Sequence, residues 1–298
     1  MIAIIVIIGI IGISMGYLTD GGKINNMEIN GNRLIEKCRL CGGILLDKFE
    51  LKVLGKYDVQ YKECTQCLSL QTETPYWLDE VYGQDNLSNT DTGAVQRNLT
   101  VFTVCYTLFR LLNFKNIIDF GGGDGLLCRL LRDHNANCYV KDKYATPTYA
   151  QGYTEQDFIK PDLIMAFEVL EHLSNPMTEL DEIFAFNSDA ALFSTEIYKN
   201  HTQDWWYLSA ESGQHVFFYS YKSLEMIAEK YNYDLIVNGN FILFVKNISK
   251  IKKIAVKVIL NKFVQRMLKP LILSFPTSGV GHDHRIQSEL SKKSQQNK

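Results

Sequence analysis

A basic excess is missing from this sequence: 31 Lys and Arg stand against 33 Asp and Glu, a formal net charge of −2 over 298 residues. Dedicated nucleic-acid-binding domains usually carry a clear positive surplus, so no global attraction for RNA or DNA follows and nucleic acid is not the expected partner. An even set of cysteines is missing too. The seven present include two Cys-x-x-Cys pairs, a pattern that suits metal ligation better than the disulfide framework of a secreted protein and implies a reducing, cytoplasmic setting. No internal repeat is evident. With 46% hydrophobic residues, disorder throughout is excluded, and there is apolar surface for one catalytic domain with small appendages.

Charge is also absent from the first residues, because Ile2 to Leu18 is almost uninterrupted apolar sequence with nothing ionised before Asp20. As a helix this run would span roughly 25 Å, just short of a hydrocarbon core. It lacks the positively charged start of a signal peptide, and Lys23, Arg33, Lys37 and Arg39 all follow it. By the positive-inside rule, residues 1–20 would be an anchor that leaves the remainder on the cytoplasmic face of a membrane. The alternative is a translation start at Met15 or Met27.

Five segments are expected. Residues 1–20 are the anchor or a mis-assigned start, and residues 34–75 hold both cysteine pairs in short strands and turns. Residues 76–113 form a helical connector with Leu99, Phe102, Tyr106, Phe109 and Leu112 at helical spacing. From 114 to 247, strand and helix alternate, which predicts an α/β, doubly wound, mostly parallel Rossmann-like sheet. Two late strands, Asp234 to Asn238 and Phe241 to Lys246, flank Gly239-Asn240 and would close it as an antiparallel hairpin. Residues 248–298 read as a cationic amphipathic helix over Ser249 to Lys269, suited to an anionic membrane surface or to packing on the domain, followed by a mobile polar tail.

The chemistry begins at Asp119-Phe120-Gly121-Gly122-Gly123-Asp124-Gly125, after the apolar Ile117-Ile118 and before a helix near Leu126. Glycine lets backbone approach a ligand closely. A single residue separates each pair of glycines Gly121, Gly123 and Gly125, which departs from the dinucleotide fingerprint, whose last two glycines have two residues between them. Asp142, 23 positions after Asp119, ends the next predicted strand, where a carboxylate can hold a ribose diol. Asp157-Phe158 follows a predicted third strand around Tyr153. A buried fourth strand runs into Phe167-Glu168-Val169-Leu170-Glu171-His172.

At these residues the chain resembles the class I S-adenosylmethionine (SAM)-dependent methyltransferases, especially a branch with Glu-Val-Leu-Glu-His after the fourth strand. The resemblance implies SAM as cofactor. Asp119 and the glycine backbone, with Gly121, Gly123 and Gly125, would place its methionine moiety, Asp142 its ribose, and Asp157 with Phe158 its adenine; Glu168 joins this cofactor set.

Cys38-Arg39-Leu40-Cys41 and Cys64-Thr65-Gln66-Cys67, with 22 residues between them, can converge on one tetrahedral, structural Zn2+. A redox pair is the alternative reading of these thiols. A zinc module before such a domain is similar to sugar C-methyltransferases of surface-polysaccharide biosynthesis, and also to a group of ribosomal RNA guanine methyltransferases. In the sugar enzymes a Glu-His pair precedes an aromatic-Phe-Ser segment, and here Gln214-His215-Val216-Phe217-Phe218-Tyr219-Ser220 matches it with Gln in place of Glu. His215 and His172 are therefore the candidate catalytic bases, with Trp205, Trp206 and Tyr207 as a stacking wall for a sugar ring. The expected activity is methylation of a sugar hydroxyl, or a sugar carbon, in a nucleotide sugar or glycan. An rRNA base methyltransferase and a non-catalytic SAM-binding protein remain alternatives.

Overall fold

In the computed structural model, residues 27–30, 33–82, 92–154 and 160–296 are described. The expected anchor over residues 1–20, and Asp157 and Phe158, lie outside them. Among the described residues no helix is long and apolar enough to cross a membrane.

A six-stranded sheet organises the chain from Asn116 to Val245. Its strands are β6 (Asn116–Phe120), β7 (Asn137–Lys141), β8 (Leu163–Phe167), β9 (Ala190–Ser194), β11 (Asp234–Asn238) and β12 (Phe241–Val245), in the order β11-β12-β9-β8-β6-β7. Neighbours among β7, β6, β8 and β9 pair parallel, whereas β12 runs antiparallel to both β9 and β11. This is the Rossmann-like α/β sheet with a reversed last strand that the alternation and the Gly239-Asn240 turn predict. The all-buried β9 and β12 are apolar throughout except for the terminal Ser194 of β9, as expected of strands covered on both faces. The third strand expected around Tyr153 shrinks to one parallel bridge, Val140 to Thr154.

Helices α2 (Ala94–Leu112), α3 (Leu126–Asp133), α4 (Pro176–Ala185) and α5 (Tyr221–Tyr231) cover the sheet, preceded by the short α1 (Leu78–Tyr82). Phe102 and Phe109 of the expected α2 stripe are buried, but the buried face is completed by Val101, Val104, Cys105 and Leu108; Leu99, Tyr106 and Leu112 sit at its margin.

The cysteine-bearing segment folds on β3 (Leu45–Val53), β4 (Tyr57–Cys64) and β5 (Leu70–Thr72), behind the hairpin β1 (Met27–Asn30) and β2 (Arg33–Glu36). Its sheet gains a fourth strand from far along the chain, β10 (Phe217–Phe218), in the order β10-β5-β4-β3. The residues just after His215 thus belong to the cysteine-bearing sheet.

The C-terminal region differs from expectation twice. The single helix expected over 249–269 is two, α6 (Lys250–Ile259) and α7 (Lys262–Leu273), because Asn261 restarts the chain with its Oδ1 accepting from the amides of Phe263 and Val264. The residues beyond Pro276, expected to be mobile, form α8 (Gly279–Gln296). Asp283 fastens it: its carboxylate takes bonds of 2.7 and 2.8 Å from Arg132 and 2.7 Å from Arg129 on α3. A polar composition did not reveal this anchor because its partners lie some 150 residues earlier.

Candidate active site and cysteine centre

Strand β6 delivers Asp119 to the ligand end of the sheet and then turns sharply. Gly121, Gly123 and Gly125 all hold φ between +54° and +78°, which L side chains rarely adopt. A Cβ at Gly121 would stand 2.7 Å from Val169 Cγ2, whereas one at Gly123 would meet nothing within 4 Å. The backbone therefore packs against its own protein at Gly121 and faces open space at Gly123, where a ligand can reach the main chain. The Gly123 amide donates to Asp142 Oδ2 at 2.9 Å, and Asp142 Oδ1 accepts from the amides of Tyr144 and Ala145 at 2.8 and 2.7 Å. The structure thus brings together the glycine turn and the carboxylate 23 residues on.

Asp119 is only 3% exposed, and its Oδ2 has no hydrogen-bond partner. Burial, and then the nearby negative Asp142, push its pKa up to about 7. An unpartnered buried carboxylate oxygen is costly, and a donor or cation on a ligand would relieve it. An α-ammonium group fits this place.

Glu168 stands at the end of β8 in the left-handed region, φ +54°. Ser194 Oγ holds it there, accepting from the Glu168 amide at 3.1 Å and donating to Oε1 at 2.8 Å. The 3-10 turn Leu170–His172 that follows places two more polar side chains inside. Glu171 is fully buried; burial and then the charge of Glu168 push its pKa up to about 8. Its Oε1 accepts from the Tyr207 hydroxyl at 2.7 Å, while Oε2 has no partner.

The two candidate histidines, 43 residues apart in sequence, meet with ring centroids 5.0 Å apart at 89°. His215 Nδ1 lies 2.7 Å from the carbonyl oxygen of Tyr207, which can only accept, so Nδ1 carries the proton and Nε2 presents a lone pair. His172 Nδ1 is 3.3 Å from the Tyr82 hydroxyl. Burial lowers both pKa values, that of His172 to about 3 with further help from His215, so both rings are neutral near pH 7. One ligand atom each from Glu171, His172 and His215 lies within 4.8 Å of the others.

Of the expected aromatic wall, only Tyr207 reaches this cluster. Trp206 is 73% exposed, and Trp205 stacks on His201 at 4.2 Å. Glu171, Tyr207 and Tyr82 are the participants whose roles sequence reasoning missed. Glu171 adjoined a recognised histidine and was the one legible signal; the parts played by the two tyrosines depend on long-range folding.

The four cysteines do converge. Cys38 and Cys67 sulfurs are 3.6 Å apart and those of Cys41 and Cys64 3.5 Å, with all four within 4.8 Å. A tetrahedral zinc with bonds of about 2.3 Å separates its sulfurs by about 3.8 Å, so the donor set fits zinc closely. Gly43 is needed here, since a Cβ would stand 2.9 Å from Cys64 Sγ. The Gln66 amide donates to Cys64 Sγ at 3.4 Å, as thiolate-supporting turns do. Free thiols are chemically possible at all four positions, but dense mutual packing of sulfur suits one shared cation better than two exchanging pairs.

The two centres are linked. Arg39, between the first two cysteines and 6% exposed, donates to the carbonyls of Ser174 (2.9 Å), Thr72 (3.1 Å) and Val216 (2.6 Å). Val216 follows His215 directly, and its amide donates to the Glu171 carbonyl at 2.8 Å. Ser220 Oγ adds a bond to the Cys67 carbonyl.

Residues 97–237 match a family described as a methyltransferase domain. Among solved structures, the methyltransferase domain of a bacterial Hen1 is similar at 19% identity, with 50% of this chain and 98% of that one covered and a TM-score of 0.37. The magnesium protoporphyrin IX methyltransferase of Synechocystis PCC 6803 with bound SAH is similar at 16% identity, covering 57% and 92%, TM-score 0.40. An O-methyltransferase family protein of Burkholderia thailandensis shows 12% identity, covering 56% and 61%, TM-score 0.44. No curated protein matches the sequence.

Proposed function

We propose that residues 97–237, which match a family described as a methyltransferase domain, form a class I methyltransferase domain that transfers the methyl group of SAM to a hydroxyl oxygen of a sugar, in a nucleotide sugar or glycan. SAM would bind with its ammonium against Asp119, its backbone contacts along Gly121 to Gly125, and its ribose at Asp142. When bound it supplies an electrophilic methyl on a sulfonium. The chain's own task is to align the acceptor oxygen in line with that methyl, exclude water and dispose of the hydroxyl proton.

One observation carries the reading: His215, with Nδ1 held at the Tyr207 carbonyl so that Nε2 is left without a proton, shares one cluster with Glu171 and His172. As the acceptor oxygen bonds to the methyl carbon and the carbon–sulfur bond breaks, the hydroxyl proton passes to His215 Nε2. Oxygen is favoured over carbon as the acceptor atom because Gln214 stands where a carboxylate would assist carbon-acid chemistry. Cys38, Cys41, Cys64 and Cys67 would hold a structural Zn2+ that keeps the His215 segment in place.

A second mechanism for the same transfer is favoured by the unpartnered Glu171 Oε2. Glu171, His172 and His215 form a two-histidine, one-carboxylate set that would hold a divalent cation, whose Lewis acidity would lower the pKa of an acceptor hydroxyl.

A methyl-transfer screen of nucleotide sugars and rRNA with labelled SAM tests the function. Turnover of a nucleotide sugar that falls at least about a hundredfold in His215→Gln supports it. Transfer to rRNA alone replaces the substrate, and SAM binding without transfer to any acceptor favours the non-catalytic reading. Activity abolished by EDTA and restored by Mn2+, with the cysteine-bound zinc retained, selects the metal mechanism over the histidine base.

A further inference from the structure

Helices α6 and α7 are apolar on two faces, and the domain covers only one of them. Val256, Ile259 and Leu260 of this region, with Ile272 further along, are buried in the domain core. On the other side Ile251, Ile254 and Val258 of α6 are 79, 65 and 51% exposed, and Phe263, Met267 and Leu271 of α7 are 71, 64 and 55% exposed. Each trio recurs at three- or four-residue spacing, so each forms one outward stripe. Ile254 and Val258 of α6 share a shallow groove with Val264 of α7.

The charge carried by the two helices has a single sign. Lys250 to Leu273 contains Lys250, Lys252, Lys253, Lys257, Lys262, Arg266 and Lys269 and no Asp or Glu, in a chain whose net charge is −2. Lys253 pairs with Asp234, and Lys269 bonds to Gln96 and Thr100. The other five form no ion pair with a described residue. A second copy of the chain would bring like charges together across such a face, which disfavours self-association. Apolar side chains rimmed by unpaired lysine and arginine match an anionic lipid surface, where the apolar groups enter the headgroup boundary and the cations meet acidic headgroups.

The placement adds an orientation. The Asn238 side chain bonds to the Lys257 carbonyl, and Lys262 lies over Gly239. The Gly239-Asn240 turn adjoins Thr195, just past the end of β9, so the corner between α6 and α7 sits at the ligand end of the sheet.

We propose that the outer face of α6 and α7 is a membrane-docking surface for anionic lipid bilayers, which sets the ligand end of the sheet beside the bilayer. The proposal does not depend on methyl transfer, and its test does not read it. Full-length protein is sedimented with neutral phosphatidylcholine vesicles and with vesicles containing about a quarter phosphatidylglycerol, at low and high salt. Wild-type protein should bind the anionic vesicles at least about tenfold better than neutral ones, with binding falling as salt rises. Lys262→Glu with Arg266→Glu should reduce binding at least about tenfold, and Phe263→Ser with Met267→Ser should do likewise, while circular dichroism stays unchanged. These variants also separate the surface from any contribution of residues 2–18, which they leave intact. Equal binding to neutral vesicles, full binding by either double variant, or a solution dimer dissociated by Phe263→Ser would each overturn the proposal.

Discussion

Asp119 is a buried carboxylate whose ionisation costs the fold stability. Its pKa is raised to about 7 in the folded chain, so the fold holds its proton more tightly than the unfolded chain does. Ionisation therefore costs stability progressively from the ordinary carboxylate range up to about pH 7, and the full cost persists above that. Asp119→Asn removes the charge at nearly constant shape. We expect this variant to unfold at the same or a higher temperature than wild type at pH 8 by calorimetry, and to bind SAM about ten- to a hundredfold more weakly, the loss of one charge-assisted hydrogen bond. At the second cluster, Tyr207→Phe takes the donor from Glu171 Oε1 but leaves the Tyr207 carbonyl, and hence the His215 tautomer, in place. Steady-state kinetics should then show a lower kcat, with the SAM dissociation constant changed less than twofold. The glycine turn and the acidic residues beside it were legible in sequence because they lie on one local strand-turn-helix. Glu171 and His172 were visible as letters, but the burial that makes them neutral, and the bond from Tyr207, arise only when β8, β9 and the segment around Trp206 pack together.

At the level of elements, hydrophobic alternation located the strands of the sheet within a few residues, since strands buried on both faces leave long apolar runs. It overstated the third strand, because the segment after Pro147 offers few apolar residues and only Thr154 pairs. It also missed β10 as part of the cysteine-bearing sheet: a two-residue strand has no periodicity to read. The C-terminal helix α8 was hidden for a different reason, since a carboxylate held between two arginines, rather than an apolar stripe, fixes it. Arg132 and Arg129 hold the Asp283 carboxylate well below its ordinary range, down to about 2. A depressed folded pKa gives stability that is present above the ordinary carboxylate value and is lost as pH falls from about 4 towards 2. Hydrogen exchange should accordingly show α8 amides losing protection across that window, and Asp283→Asn should remove the protection at pH 7 while leaving the central sheet protected.

Across the whole molecule, the cysteine centre and the candidate active site are one mechanical unit. Arg39 lies within the first cysteine pair and reaches the carbonyl beside His215, and β10 continues the cysteine-bearing sheet directly after it. Sequence indicated two modules in series, with nothing to show that a strand of the second completes the first. Chelation of zinc should therefore lower methyl transfer by more than it lowers SAM binding, since Asp119 and Asp142 lie on the other side of the sheet's switch point and depend on β6 and β7. Metal analysis should return one zinc per chain, and Cys38→Ser with Cys64→Ser should reproduce the effect of the chelator. The central claim is that the glycine turn, Asp119 and Asp142 form a SAM site, and equilibrium dialysis with labelled SAM tests it most directly. Folded, zinc-loaded protein should bind one SAM per chain and lose at least about tenfold in affinity in Asp119→Asn; failure of that folded protein to bind SAM at millimolar concentration would contradict the account.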